Sequence, residues 1–264
     1  MLGFHYGLYT EGIKNWKDAA LNMNKYIGQF FKLNKLSNRN ILDAGCGIGS
    51  TAIYLAIKYP STKFYGISIA PSEIRYAKHI QKQLQIKNID FIQGSYIETN
   101  YSNEFFDGIY ALESFSYASD KMKFISEMKR ILKSKGNLVI IDGFRREKLL
   151  SPFMNKVYNS FLRRRALSNL ISLNELQSYL INEGFTDIRL INLATSNGII
   201  YNFLQLHYPI IIIKYVLDQY KKIIFGKKYQ SKKNMDYIWG ALVPELILGM
   251  NKKIGYYAIS SVKK

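Results

Sequence analysis

Ile41-Leu42-Asp43-Ala44-Gly45-Cys46-Gly47-Ile48-Gly49 is the stretch on which the reading of this chain turns. Asn40 to Ala44 has the short apolar run of a buried strand, and Ser50 to Lys58 reads as a helix stopped before Pro60. Between them, glycines at 45, 47 and 49 let the backbone turn sharply, pass close to a ligand and present amides at a helix N-terminus. The spacing is G-x-G-x-G. The G-x-G-x-x-G of dinucleotide folds must receive a pyrophosphate instead. Asp43, two positions before the first glycine, suits an ammonium group and repels a diphosphate.

Outward from that turn the rhythm continues. Further strands are expected at Lys63 to Ser68, Asp90 to Gln93, Phe105 to Leu112, Asn137 to Asp142, Asp187 to Leu193 and Gly255 to Val262. Helices are expected at Ile13 to Phe31, Pro71 to Leu84, Asp120 to Leu132 and Leu173 to Ile181, the last stopped at Gly184. Alternation of this kind gives an α/β fold: seven strands in a mostly parallel sheet, with helices on both faces. One domain over 1–264 is expected, with a lid segment at 1–35, a core at 36–143, and cap segments at 144–172 and 194–254 inserted into and after the sheet. Tyr208 to Leu217 is apolar but interrupted by Pro209 and Lys214, and it is shorter than the roughly 18–20 residues that span a membrane.

The hydrophobic fraction of 48% provides for a full core, and a single cysteine, Cys46, excludes an internal disulfide. No basic run followed by an apolar one opens the chain, so a cytoplasmic protein is expected, with contact at a membrane surface left open. The net charge is +18, and it is uneven. Residues 1–143 hold 18 Lys+Arg against 12 Asp+Glu, whereas residues 144–264 hold 19 against 7. Pairs and triplets such as Arg145-Arg146, Arg163-Arg164-Arg165, Lys221-Lys222, Lys227-Lys228 and Lys232-Lys233 carry the excess. They attract an anionic partner or simply solvate a face, and charge alone does not choose between these.

The glycine turn, with its strand and acidic residue, closely resembles the first motif of class I S-adenosylmethionine-dependent methyltransferases, which have a Rossmann-like sheet. Phe64 to Glu73 resembles the second-strand segment of small-molecule C-methyltransferases and cyclopropane synthases. Most class I members end that strand with a carboxylate on the ribose; Ser68 stands there instead. In the subgroup it resembles, a residue five positions later takes the ribose, which implies Glu73 here, unless Glu73 only favours a helix N-terminus. Gln93-Gly94-Ser95-Tyr96 is similar to the adenine-closing segment, with Ser95 replacing the usual Asp. Phe105 to Tyr110 and Leu132 to Leu138 resemble the fourth-strand signature and the turn before the fifth strand. His5-Tyr6-Gly7-Leu8-Tyr9 is similar to a segment whose aromatics fold over the cofactor in methyltransferases of sterols and tocopherols; Tyr6 and Tyr9 either do so or simply pack.

The resemblance implies S-adenosyl-L-methionine as cofactor, held by Asp43, Gly45, Gly47, Gly49, Ser68, Glu73, Ser95, Tyr96 and Tyr6. Methyl transfer from a sulfonium is an in-line displacement, for which positioning and a dry aromatic pocket supply much of the rate. Glu113, at the carboxyl end of the fourth strand, is the candidate general base or cation-stabilising carboxylate; alternatively it anchors the N-terminal segment. Tyr117 stands where related sequences carry His and offers a hydroxyl or an aromatic face. His5 belongs to the lid, His79 to a surface helix, and His207 precedes the apolar run; none forms a cluster with metal-ligand spacing, so no metal is expected. The expected acceptor is a small, largely apolar metabolite, isoprenoid, sterol-like or aromatic, whose anionic group, if it has one, would meet Arg145, Arg146 or Arg163 to Arg165. A fatty-acyl or cyclopropane synthase-like activity is the nearest alternative. Nucleic acid is disfavoured, because no appended RNA-binding module is present. Oligomeric state is not legible.

Overall fold

A computed structural model describes residues 5–10, 12–33, 35, 38–146, 151–193, 248 and 252–264. Most of the second cap segment lies outside them, and with it His207, the Tyr208 to Leu217 run and the lysine pairs from 221 to 233.

Among the described residues, seven strands form one sheet in the order β3-β2-β1-β4-β5-β7-β6. They are β1 (Asn40–Ala44), β2 (Lys63–Ser68), β3 (Ile89–Gln93), β4 (Phe106–Leu112), β5 (Leu132–Arg145), β6 (Phe185–Asn192) and β7 (Ile254–Lys263). Pairs from β3 through β5 are parallel, and β7 runs antiparallel between β5 and β6. Helices cover both faces. Met23, Ile27, Leu55 and Ala77 from α1 (Trp16–Phe30), α2 (Ser50–Lys58) and α3 (Pro71–Gln83) pack on one side. Phe124, Met128, Leu176 and Leu180 from α4 (Lys121–Ile131) and α6 (Leu173–Asn182) pack on the other.

Local chemistry sets the ends. The α1 helix starts at Trp16 rather than Ile13, because the Asn15 side chain accepts the Asp18 N–H at 2.9 Å and caps it there. Lys135-Gly136 is not a turn ahead of β5 but lies inside it. The strand begins at Leu132, and its pairing with β4 shifts between Phe106 and Gly108, with Lys135 at φ +61°. Asp107 ties β4 to β1, accepting from the Asn40 N–H at 2.8 Å and from Lys133 Nζ at 3.0 Å. Within the first cap segment, α5 (Pro152–Arg164) starts at a Ser151 cap and buries Met154, Phe161 and Leu162 against Leu170 and Leu248.

The α6 helix opens with a capping box: the Ser172 Oγ accepts the Glu175 N–H at 3.2 Å, and Glu175 Oε2 accepts the Ser172 N–H at 2.6 Å. Glu175 also takes Arg145 at 3.3 Å. Ser172→Ala is expected to cost about 1 kcal/mol, read as a lower urea midpoint with an unchanged slope.

Candidate active site

Every sequence-derived site residue except Tyr6 follows or ends a parallel strand at its carboxyl end, the edge where open α/β sheets bind ligands. The turn after β1 is held by the next strand: the Gly45 and Cys46 N–H groups donate to the Ile67 carbonyl at 3.0 and 2.9 Å. Gly45, Gly47 and Gly49 all have positive φ, at +101°, +52° and +78°. Their surroundings differ. A Cβ at Gly49 would stand 2.6 Å from Phe91 Cζ, and one at Gly45 would overlap Ser114 Cβ. At Gly47 a Cβ meets nothing within 4 Å, so that face of the turn is open. Packing requires the outer two glycines, and the middle one leaves room for a ligand.

Asp43 lies beneath this turn, buried, with the Tyr110 hydroxyl donating to its Oδ2 at 2.8 Å. Burial pushes its carboxyl up to about 7, against the pull of that hydrogen bond. At the end of β2 the Ser68 hydroxyl accepts the Ala70 N–H at 3.2 Å and donates to Glu73 Oε2 at 2.6 Å. The sequence pairing of these two residues is therefore a physical one, with Glu73 in the first turn of α3. Ile69, beside them, is 69% exposed and offers an apolar surface at the same edge. Ser95 makes a bridge to Glu98, and the Tyr96 hydroxyl donates to the Ser114 carbonyl at 2.8 Å. Burial, with Asp142 and Tyr117 nearby, pushes the Tyr96 phenol up to about 12, so it remains a neutral donor.

On the acceptor side, Glu113 Oε1 accepts the Tyr6 N–H at 2.6 Å and the Tyr256 hydroxyl at 2.8 Å. The Tyr6 hydroxyl accepts from Arg165 Nη2 at 2.9 Å, and the Tyr6 and Tyr256 rings meet edge-on at 5.5 Å. Tyr117, in the short turn Phe115–Tyr117, is half exposed. Behind it, Asp142 accepts the Ser116 N–H at 2.8 Å, and Lys121 Nζ donates to the Ser116 carbonyl at 2.9 Å. His5 is buried with its Nδ1 3.0 Å from the Tyr6 carbonyl, and burial lowers its pKa. His79 is exposed. Among the described residues no group of His, Cys, Asp or Glu is placed to hold a metal ion, and no helix is long and apolar enough to cross a membrane.

The sequence did not single out Ser114, Tyr256 or Asp142. Ser114 donates to the Ala44 carbonyl and walls Gly45, yet it follows Glu113 directly and a search of the post-β4 loop could have found it. Tyr256 reaches Glu113 across 143 residues of sequence, and only the β5–β7 register, which sets Tyr256 opposite Gly143, brings it there. Of the arginines expected to meet an anionic group, Arg145 is committed to Glu175, Arg146 stands 6.0 Å from the Tyr257 ring centroid, Arg163 and Arg164 are exposed, and Arg165 meets the Tyr6 hydroxyl.

A sheet of this order with a reversed β7, and an acidic strand end leading into an open glycine turn, make up the fold of class I S-adenosylmethionine-dependent methyltransferases. The methyltransferase domain family matches residues 35–202, and the chain belongs to that family. Ajmaline N-methyltransferase of Rauvolfia serpentina is 32% identical over 115 residues, 43% of this chain and 38% of its own length. The chain spans 38% of the length of that enzyme and 53% of norajmaline N-methyltransferase of the same organism. A putative sarcosine dimethylglycine methyltransferase from Galdieria sulphuraria shares the fold, at TM-score 0.77 and 20% identity, over 100% of this chain and 94% of that one. Geranyl diphosphate C-methyltransferase from Streptomyces coelicolor A3(2) does so at TM-score 0.73 and 13% identity, over 99% and 91%. The family's cofactor, S-adenosyl-L-methionine, fits the residues present: the open face at Gly47 has room for it, Asp43 bears an acidic group under that turn, and the Ser68–Glu73 pair can accept from sugar hydroxyls.

Proposed function

We propose that this chain methylates a small, largely apolar acceptor, bound between the glycine turn and the aromatic wall of Tyr6, Tyr256 and Tyr117. The observation that carries the reading is the edge-on meeting of the Tyr6 and Tyr256 rings, both residues bonded to the Glu113 carboxylate, one residue before the Ser114 that walls Gly45. S-adenosyl-L-methionine supplies an electrophilic methyl group on a sulfonium. The turn with Asp43 below it would hold the amino acid end, Glu73 and Ser68 the ribose, Ser95 and Tyr96 the adenine side. Tyr6 and Tyr256 exclude water from the acceptor, which favours dispersal of the sulfonium charge. Where the acceptor loses a proton, Glu113 accepts it as general base; Tyr117 offers a hydroxyl or ring to orient the acceptor. The geranyl diphosphate enzyme that shares the fold lends weight to an isoprenoid acceptor, and the relationship to ajmaline N-methyltransferase lends weight to an amine. An anionic group on the acceptor would meet Arg165.

Labelled donor should pass its methyl to isoprenoid, sterol or aromatic amine and phenol acceptors. Label found only in RNA or in phospholipid vesicles would sink the proposal. Glu113→Gln keeps an oxygen that can accept from Tyr6 and Tyr256 but removes the charge. It should bind S-adenosylhomocysteine normally and slow turnover by about a hundred-fold. Unchanged turnover would remove Glu113 from proton transfer.

A further inference from the structure

The N-terminal strap, His5 to Thr10, contains no helix or strand. At its back it rests on α1: the Leu8 N–H donates to the Ala19 carbonyl at 2.9 Å, and Gly7 packs so closely that a Cβ there would stand 2.5 Å from Ala19 Cβ. At its front the Glu113 Oε1 takes the Tyr6 N–H, and Arg165 donates to the Tyr6 hydroxyl. Glu113 sits at φ +51°, a conformation costly for a residue with a Cβ, so the surrounding structure must hold it there. The next residue, Ser114, forms the wall of Gly45. The strap anchor and the wall of the cofactor turn are thus consecutive residues in one strained corner.

Tyr256 completes this corner from β7. Its hydroxyl donates to the same Glu113 oxygen, its ring meets that of Tyr6, and Arg165 of the cap follows on the far side at the Tyr6 hydroxyl. Burial and the Glu113 carboxylate hold the Tyr256 phenol well above the ordinary tyrosine range, so it stays a donor across the neutral range.

We propose that Tyr256 is a positioning residue. By fixing the Glu113 carboxylate it latches the N-terminal strap over the cofactor turn and so sets how long the donor and its demethylated product stay bound. The strap's bond to Glu113 comes from a backbone N–H, so that bond is independent of which side chain stands at position 6. Tyr256 orients the acceptor oxygen on which that backbone bond depends. The effect on donor residence rests on the reading that the glycine turn holds the donor; the effect on the strap does not.

Tyr256→Phe keeps the ring and its packing and removes only the hydroxyl. Amide exchange of residues 5–10 in the ligand-free protein should quicken about ten-fold, the weight of one hydrogen bond to a charged group. Dissociation of S-adenosylhomocysteine in stopped flow, read without acceptor or turnover, should quicken by a similar factor, and the KM for the donor should rise. Glu113→Ala should loosen the strap at least as much, and Tyr256→Phe added to it should change nothing further, since both act on one bond network. Strap exchange at the wild-type rate in Tyr256→Phe overturns the latch, as does faster strap exchange with an unchanged rate of S-adenosylhomocysteine dissociation, which would uncouple the strap from the donor. Faster strap exchange in a protein that binds no S-adenosylhomocysteine even as wild type upholds the latch on the strap and overturns the cofactor reading alone.

Discussion

Gly47→Val is expected to weaken S-adenosylhomocysteine binding at least about a hundred-fold, a change of roughly 2.7 kcal/mol, in a protein that still folds. The expectation comes from what surrounds each glycine of the turn. Gly47 has φ +52°, and an added Cβ points into open space, so nothing in the protein opposes the side chain except backbone strain. That strain costs on the order of 1–3 kcal/mol. The open space is the cofactor's in the reading given above, and a branched side chain there replaces ligand with methyl groups. Gly49→Val should behave differently. Its Cβ would press on Phe91 and on Ala77 of α3, so the melting temperature falls first and binding is lost with the fold. Calorimetric titration beside thermal melts separates the two. A folded Gly47→Val that binds S-adenosylhomocysteine as tightly as wild type would remove this turn from the cofactor site.

That contrast also marks what the sequence could show. G-x-G-x-G between a strand and a helix is local information: the glycines, the apolar run before them and the proline after them all lie within twenty residues. The bounds of β1, β2 and α2 accordingly match those read from the chain. The three glycines looked equivalent in sequence, because a sequence carries no neighbours; only Phe91 and Ser114, brought in by β3 and β4, distinguish them. Ends set by an irregularity were missed for the same reason. The β5 strand runs through Lys135-Gly136 because β4 lies beside it, and β6 starts at Phe185 with a break in pairing between Thr186 and Arg189. Glu113 was legible as a site residue from its place after β4, but both of its roles remained open until Tyr6 and Tyr256 arrived from opposite ends of the chain.

Donor affinity is expected to rise about ten-fold between pH 6 and pH 8, and Asp43→Asn should abolish that dependence. The Asp43 carboxyl titrates at about 7 in the folded protein and at 3.8 as an ordinary carboxyl, with burial as the cause. Its pKa is raised on folding, so between about pH 4 and pH 7 the folded chain holds a proton that the unfolded chain has lost. Stability of the ligand-free protein therefore falls as pH rises through that window, by on the order of 4 kcal/mol when complete. Asp142, pushed up to about 6 by its own burial, adds to the fall in the same direction. His5 opposes it at the acid end: its folded pKa is lowered, so its neutral form stabilises the fold above about 6.5 and that contribution is lost on acidification. The difference between wild type and Asp43→Asn isolates the Asp43 share. In the proposed site an ammonium group over the turn would neutralise the buried carboxylate, so the ligand would prefer ionised Asp43, roughly one molecule in ten at pH 6 and nine in ten at pH 8. Binding below pH 7 should accordingly release a proton, visible as a buffer-dependent heat. Affinity that stays level from pH 6 to pH 8 in the wild type would mean that the ligand's ammonium does not engage Asp43. The buried carboxylate would then serve the β1–β4 contact through Tyr110 alone.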